Sequence, residues 1–120
     1  MRKYTNNHEW IEVNGNIGRV GISSFGKNEL GQIVFVQLPN VGRVVELGEE
    51  VAILESTKAA SDIYSPVSGK IIGVNESLIE DISLINDSPE DKGYLYEILI
   101  DNLGETKDLV SHAEYQCLDT

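Results

Sequence analysis

Hydrophobic and polar residues alternate along several short stretches of the chain, which is the pattern of strands that bury one face. Residues 9–13 (Glu-Trp-Ile-Glu-Val) alternate in this way, and the Asn14-Gly15 pair that follows is a strong hairpin signal. Residues 17–22 are therefore predicted to form the return strand. Further strands are predicted from β-prone runs at 33–38, 51–54, 71–74 and 95–100.

Three segments are predicted to contain helix. A short helix is expected between Ser23 and Gly31, because serine caps helix N-termini and glycine commonly ends helices. Residues 77–89 are predicted to form a turn of helix and then a loop. Residues 105–117 are predicted to form a C-terminal helix, since acids come early and apolar residues recur later. No linker divides the chain, which predicts a single, mostly β domain over residues 1–120.

One internal repeat relates two parts of the chain. Residues 39–45 (Pro-Asn-Val-Gly-Arg-Val-Val) align with residues 66–72 (Pro-Val-Ser-Gly-Lys-Ile-Ile) at an offset of 27. Both copies read Pro-x-x-Gly, then a base, then two β-branched residues. Glu49 and Glu76 continue the same register, so that the two copies extend over 39–49 and 66–76. Two copies of one structural unit predict a quasi-twofold axis, and the midpoint of the repeat falls between Thr57 and Lys58.

The charge of the chain narrows the classes of partner. Its 120 residues include nine Lys or Arg and twenty Asp or Glu, a formal net charge of −11. Residues 61–120 hold thirteen acids and only three bases. Phosphate binding needs clustered bases, so neither nucleic acid nor an anionic membrane is expected as a partner.

Other features of the composition favour a cytoplasmic protein. The apolar runs are far too short to span a bilayer, and no secretory signal is visible. The single cysteine, Cys117, excludes an internal disulfide, and a reducing compartment is the simpler expectation.

The chain lacks the usual patterns of an active site. His8 and His112 lie far apart in the sequence, with no further His or Cys at metal-ligand spacing, so no metal site is predicted. Neither a nucleophile elbow nor a phosphate-binding loop is present. Adjacent acids such as Glu49-Glu50 and Glu90-Asp91 are expected to be solvated turn residues. We therefore predict no catalytic residue.

Residues 55–62 are unusual because they place a lysine among small residues. A β-prone run precedes them, and Pro66 follows an extended segment, which favours a hairpin with Lys58 near its tip over a helix. The neighbours of Lys58 would leave its amine open to another enzyme. The alternative is an ordinary exposed turn lysine.

The segment 55–62 (Glu-Ser-Thr-Lys-Ala-Ala-Ser-Asp), followed by 64–69 (Tyr-Ser-Pro-Val-Ser-Gly), resembles the lipoyl-attachment region of the glycine cleavage system H-protein family. Other segments match the family pattern in order and spacing, so that the resemblance covers about residues 3–118. These include His8-Glu9-Trp10, Ile33-Val34-Phe35-Val36, Leu38-Pro39 and Val74-Asn75-Glu76.

The resemblance implies a fold and a set of site residues. The fold would be a lipoyl/biotinyl-type barrel-sandwich hybrid, with two small antiparallel sheets, a quasi-twofold axis and short peripheral helices. Lipoate would be joined covalently to Lys58 by an amide. Glu55 would serve recognition by the lipoylating enzyme, and Glu9 and Asp62 match the family's cleft for the loaded arm.

The resemblance also implies a carrier of glycine catabolism rather than an enzyme. A pyridoxal-phosphate-dependent glycine decarboxylase would load an aminomethyl group, and a tetrahydrofolate-dependent aminomethyltransferase would remove it. A flavin-dependent dihydrolipoyl dehydrogenase would reoxidise the arm. A lipoate ligase or an octanoyl/lipoyl transferase would attach it. A carrier that visits several enzymes is expected to be a monomer.

Some positions depart from the family pattern and leave an alternative open. The family usually has Asp-Pro-Tyr where this chain has Ser88-Pro89-Glu90, and Gly-Trp where it has Gly93-Tyr94. A base often stands at the position of Glu97, and the first helix carries an unusual Phe25-Gly26 pair. An H-like carrier that relays lipoyl groups to 2-oxoacid dehydrogenases, or serves another redox system, is therefore the alternative.

A biotin carrier and an unmodified interaction domain are two further classes of protein to which the sequence could belong. A biotin carrier of the same fold is disfavoured, because such carriers typically hold methionine on both sides of the lysine and this chain has Thr57 and Ala59. An unmodified interaction domain remains open.

Overall fold

The computed structural model describes residues 2–111 and 114–115. Within them lie nine strands, three short α-helices and one 3₁₀ helix, besides two helical residues at 114 and 115. The strands are β1 (Arg2–Tyr4), β2 (Glu9–Asn14), β3 (Ile17–Ile22), β4 (Ile33–Gln37), β5 (Val44–Val45), β6 (Glu50–Ser56), β7 (Ala60–Tyr64), β8 (Gly69–Val74) and β9 (Tyr96–Ile100). The helices are α1 (Ser24–Leu30), α2 (Ser77–Glu80), α3 (Ser83–Asp87) and the 3₁₀ helix Leu103–Asp108.

The strands form two antiparallel sheets, which confirms the predicted fold class. The larger sheet has the order β1-β2-β3-β9-β8-β5, and the smaller sheet has the order β4-β6-β7. The two copies of the sequence repeat pair with each other, Val44 opposite Lys70 and Val45 opposite Gly69. Ile71 adds reciprocal backbone bonds, donating to the Arg43 carbonyl at 2.8 Å and accepting from Gly42 at 2.7 Å.

The buried side chains form two clusters, and β2 contributes to both because its residues alternate between faces. Ile11 and Val13 join the large cluster, which includes residues of both sheets. Trp10 points the other way, packs in the small cluster and donates from Nε1 to the Pro89 carbonyl at 3.0 Å. The small cluster consists of Tyr4, Trp10 and Tyr115.

The capping residues predicted the first helix correctly. The Asn14-Gly15 pair predicted the first hairpin, but one residue too early in the chain. The Ser23 hydroxyl accepts from the Gly26 N–H at 3.0 Å, and the Gly31 N–H closes α1 on the Lys27 carbonyl. In the β2–β3 hairpin Asn14 pairs with Ile17, so the two loop residues are 15 and 16 rather than 14 and 15. Position 15 has φ 63°, which glycine adopts without strain.

The predicted C-terminal helix over residues 105–117 is wrong at residues 109–111, whereas residues 114 and 115 are helical. The 3₁₀ helix ends at Asp108, Leu109 is extended, and Val110 exchanges two backbone hydrogen bonds with Tyr4. Pairing with the edge strand β1 satisfies these backbone groups in place of helical bonds. His112 and Cys117 lie outside the described residues. Residues 77–89 form two short helices, α2 and α3, instead of one turn and a loop.

No described helix is long and apolar enough to cross a membrane. The short helices pack at the periphery, and α3 is tied to the start of β4 by one side chain. Asn86 accepts from the Ile33 N–H at 2.8 Å and donates to the Ile33 carbonyl at 2.9 Å. Ile33 is fully buried, so neither backbone group has water as a substitute partner.

We expect Asn86→Ala to lower the free energy of unfolding by about 2 to 3 kcal/mol, because it leaves both buried backbone groups of Ile33 unpaired. Urea unfolding of the variant and the unchanged protein measures the difference. Asn40→Ala, at an exposed turn position, is the matched control and should change stability by less than about 0.5 kcal/mol. Equal effects of the two substitutions would contradict this role of Asn86.

Candidate functional site

Lys58 lies in the middle of the three-residue loop, residues 57–59, that joins β6 to β7. Glu55 pairs with Ala60, and the Ser56 N–H donates to the Ala59 carbonyl at 2.8 Å, so Thr57 and Lys58 form the tip. The Ser56 hydroxyl accepts from the backbone N–H of Lys58 at 3.0 Å and of Ala59 at 3.1 Å. These bonds hold the backbone of the loop while the lysine side chain stays exposed.

The outer face of the small sheet surrounds this tip. Phe35, Glu55 and Ala60 are directly opposed across β4, β6 and β7. All three are exposed, and the next row contains Asp62 opposite Ile53. Glu55 and Asp62 therefore share the face nearest Lys58, and no ion pair joins Lys58 to a described residue.

β7 connects the lysine loop to a buried carboxylate. Asp62 and Tyr64 lie on the same face of β7 because side chains alternate along a strand. At about 3.3 Å per residue, Asp62 lies about 13 Å and Tyr64 about 20 Å from Lys58 along the chain. The Tyr64 N–H donates to Glu9 Oε2 at 3.1 Å, which places Glu9 at the far end of this path.

Glu9 is a carboxylate in the interior of the protein, with a relative exposure of 1%. It occupies the first position of β2, on the same face as Ile11, and so points inward. Burial raises its pKa to about 7, although hydrogen bonds from the Tyr64 N–H and the Thr5 hydroxyl act to lower it. This carboxylate can therefore change its charge near neutral pH.

Thr5 holds Glu9 from the loop that precedes β2. Its hydroxyl donates to Glu9 Oε1 at 2.8 Å and accepts from the backbone N–H of Glu9 and of Asn7, each at 3.2 Å. The donor and both acceptor positions of the hydroxyl are thus used. Sequence reasoning missed Thr5 and Tyr64, because one acts through a loop conformation and the other through a backbone N–H.

Glu9 lines a surface cavity of about 290 Å³. The wall combines polar and apolar groups from the N-terminal loop, β7 and the segment after the 3₁₀ helix. It includes Tyr4, Asn6, Glu9, Leu47, Tyr64 and Val110. Of the four site residues expected from the sequence, the structure places Glu9 in this cavity wall. Lys58, Glu55 and Asp62 lie on the exposed hairpin instead.

The described residues contain no group of three or more His, Cys, Asp or Glu side chains arranged to hold a metal ion.

The positions that depart from the family pattern are bonded within the chain. Glu97 pairs with Arg19 at 3.3 Å. Glu90 accepts from the Tyr4 hydroxyl, from the Arg2 guanidinium and, at 2.8 Å, from the Ser24 N–H. Burial acts to raise the pKa of Glu90, but the hydrogen bonds from Ser24 and Tyr4 outweigh it and lower the pKa below its usual range. Glu90 and Glu97 therefore both have bonding partners within this chain, which explains an acid at each of these positions.

We expect the stability of Glu9→Gln, relative to the unchanged protein, to rise with pH. Between the ordinary carboxyl pKa of 4.5 and the folded value of about 7, the native state binds more protons than the unfolded state. The unchanged protein therefore loses stability as pH rises through that range, whereas glutamine carries no such charge. The difference should grow by about 2 to 3 kcal/mol between pH 5 and pH 8 in urea unfolding.

Glu55→Gln is the control for this titration, since it removes an exposed carboxylate from the same protein. Its effect should stay within about 0.5 kcal/mol at both pH values. A pH-independent difference for Glu9→Gln would contradict the buried charge of Glu9.

Comparison with known proteins now identifies the family. A family model described as glycine cleavage H-protein matches residues 2–119. The glycine cleavage system H protein of Carboxydothermus hydrogenoformans is 47% identical over 116 residues, which cover 97% of this chain and 89% of that protein. The one from Thermotoga maritima is also 47% identical, with coverage of 97% and 94%.

A solved structure gives the same result in three dimensions. The crystal structure of a glycine cleavage system H protein from Mycobacterium marinum superposes with a TM-score of 0.89. Its sequence is 39% identical, and the match covers 98% of this chain and 95% of that one. The chain belongs to the glycine cleavage H-protein family.

Proposed function

We propose that this protein is the lipoyl carrier of a glycine cleavage system, and that it carries lipoate on Lys58. The observation that supports this most is the position of Lys58. It lies in a short hydrogen-bonded loop at the tip of a hairpin, in a chain that matches H proteins over nearly its full length. The protein would act as a substrate-bearing subunit rather than as an enzyme.

The residues around Lys58 fit a covalent lipoyl group. The side chain is exposed, its neighbours in the loop and in β7 are small, and the backbone of the loop is held by Ser56. An amide would join Lys58 Nζ to the carboxyl carbon of lipoate. The reaction removes the positive charge of Lys58 and takes the formal charge from −11 to −12.

When bound, lipoate supplies a disulfide that accepts two electrons and two protons and a sulfur that can carry an aminomethyl group. Lys58 and its hairpin would present this group to successive enzymes on an arm of roughly 14 Å, estimated from about ten bonds. Tethering raises the effective concentration of the reactive sulfur at each partner. Asp62, about 13 Å from Lys58 along β7, lies within that reach.

Asp62 and Glu9 would hold the loaded arm, Asp62 along its length and Glu9 at its end. There the added aminomethyl group and a hydrogen bond of about 3 Å would extend the arm of roughly 14 Å toward the far end of the path along β7. A protonated amine beside Glu9 would favour the ionised carboxylate and form a charge-assisted hydrogen bond with it. The cavity next to Glu9 provides space on the protein surface for such a group. Glu55, exposed beside the lysine loop, would contact the enzyme that attaches lipoate.

The partners follow from the proposed role. They are the pyridoxal-phosphate-dependent glycine decarboxylase, the tetrahydrofolate-dependent aminomethyltransferase and the flavin-dependent dihydrolipoyl dehydrogenase. A lipoate ligase or an octanoyl/lipoyl transferase would modify Lys58. The acidity of the chain suits basic docking surfaces on these enzymes, and we propose a cytoplasmic monomer.

The alternative carrier that relays lipoyl groups to other complexes is not favoured. The similar proteins are named for glycine cleavage. The departures that suggested a different partner surface include Glu90 and Glu97, which are bonded to Arg2 and Arg19 of this chain.

Intact mass and peptide mapping test the attachment site. Incubation with a lipoate–protein ligase, lipoate and ATP should add a single lipoyl increment, located on Lys58. Lys58→Arg should abolish it, and Lys70→Arg, at another exposed lysine, should retain it. A lipoyl group that persists in Lys58→Arg, or an unmodified protein beside a fully modified H protein of known activity, would reject the proposal.

The second test concerns glycine chemistry. The lipoylated protein should support exchange of labelled bicarbonate into the carboxyl group of glycine by a glycine decarboxylase. Lys58→Arg should support only the background rate, because it lacks the arm. If lipoylated protein fails in an assay where the decarboxylase's own H protein succeeds, the carrier serves a different system.

A further inference from the structure

The connection between α1 and β4 lies beside the lysine loop and is held to it by hydrogen bonding. We refer to residues 31 and 32 as the Gly31–Gln32 corner. The Gly31 N–H donates to the Lys27 carbonyl at 3.0 Å and so ends α1. The Gln32 carbonyl then accepts from the Thr57 N–H at 3.1 Å. One residue therefore ends the helix, and the next holds the tip of the hairpin.

The backbone of the corner requires glycine. Gly31 has φ 90° and ψ −155°, a conformation that is open essentially only to glycine. This conformation sets the direction of the following peptide and hence of the Gln32 carbonyl. A side chain at position 31 would strain the backbone and shift the acceptor of the Thr57 N–H.

Lys58 lies over the bare backbone of Gly31. A Cβ atom added at Gly31 would lie 3.4 Å from Lys58 Cε, 3.7 Å from Cδ and 3.8 Å from Nζ. The last methylenes and the amine of Lys58 thus rest beside the place that a side chain would occupy. At these distances a Cβ would make an ordinary van der Waals contact with Lys58, so substitution would act on the lysine chiefly through the backbone of its loop.

We propose that Gly31 is a positioning residue for the modification of Lys58, an inference that rests on the proposed function. In the modification Lys58 Nζ attacks the carboxyl carbon of adenylate-activated lipoate. The N–C bond forms, the bond to AMP breaks, AMP leaves with the electron pair, and the amine gives up a proton. A displacement of about 1 Å in such a reaction can cost on the order of a hundredfold in rate.

Gly31→Ala is the test variant, and Gly42→Ala is its matched control. Gly42 has φ 96°, so alanine is placed at a similarly positive φ, but a Cβ there meets no atom within 4 Å. With a lipoate–protein ligase, lipoate and ATP, we expect Gly31→Ala to lower kcat for Lys58 by tenfold or more. KM should stay within twofold, because the outer face of the small sheet is unchanged. Gly42→Ala should stay within twofold of the unchanged protein in both.

Lipoylation of Gly31→Ala at the rate of Gly42→Ala would overturn the inference and leave the proposed function intact. Failure of the unchanged protein to be lipoylated would reject the proposed function itself. Unfolding curves of both variants show that the assays are run on folded protein.

A measurement on the unchanged, unmodified protein tests the contact without any variant. Nuclear Overhauser effects are expected between the α protons of Gly31 and the Cδ and Cε protons of Lys58, given the short distances at this site. Their absence under conditions that show the Thr57–Gln32 contact would overturn the inference, even if Gly31→Ala fails to fold.

Discussion

The burial of both faces of β2 is the constraint on which the fold and the site depend. Ile11 and Val13 enter the large cluster, while Trp10 turns to the small cluster and donates to the Pro89 carbonyl. Because side chains alternate along a strand, Glu9 must share the inward face of Ile11. Neither face of β2 is exposed to water at Glu9, so its carboxylate is buried.

The interior position of Glu9 ties the core to the lysine hairpin. Its two oxygens accept from the Thr5 hydroxyl and the Tyr64 N–H, so that one carboxylate joins the N-terminal loop to β7. β7 is also the strand that leaves the loop of Lys58. Glu9 holds the far end of the hairpin through Tyr64, and the Gln32 carbonyl holds its tip through Thr57. These two contacts restrict the position of the Lys58 backbone.

Local chemistry was enough to predict the parts of the structure that neighbouring residues decide. The cap at Ser23, the helix end at Gly31 and the exposed hairpin of Lys58 follow from residue type and spacing. Contacts between distant backbone groups could not be predicted in this way. Val110 pairs with Tyr4 in place of a helix, and a carbonyl with no side-chain signature anchors the lysine loop. β5 has only two residues and offers no periodicity to detect.

The buried charge of Glu9 would couple stability to the cargo of the proposed arm. Above its folded pKa of about 7 the ionised carboxylate lowers the stability of the native state. A cationic amine beside it would favour the ionised form and recover part of that free energy. Coupling of this kind is reciprocal, so a carboxylate that favours the amine is itself stabilised by it. An uncharged arm offers no such gain, and the charge of Glu9 would therefore distinguish a loaded arm from an empty one.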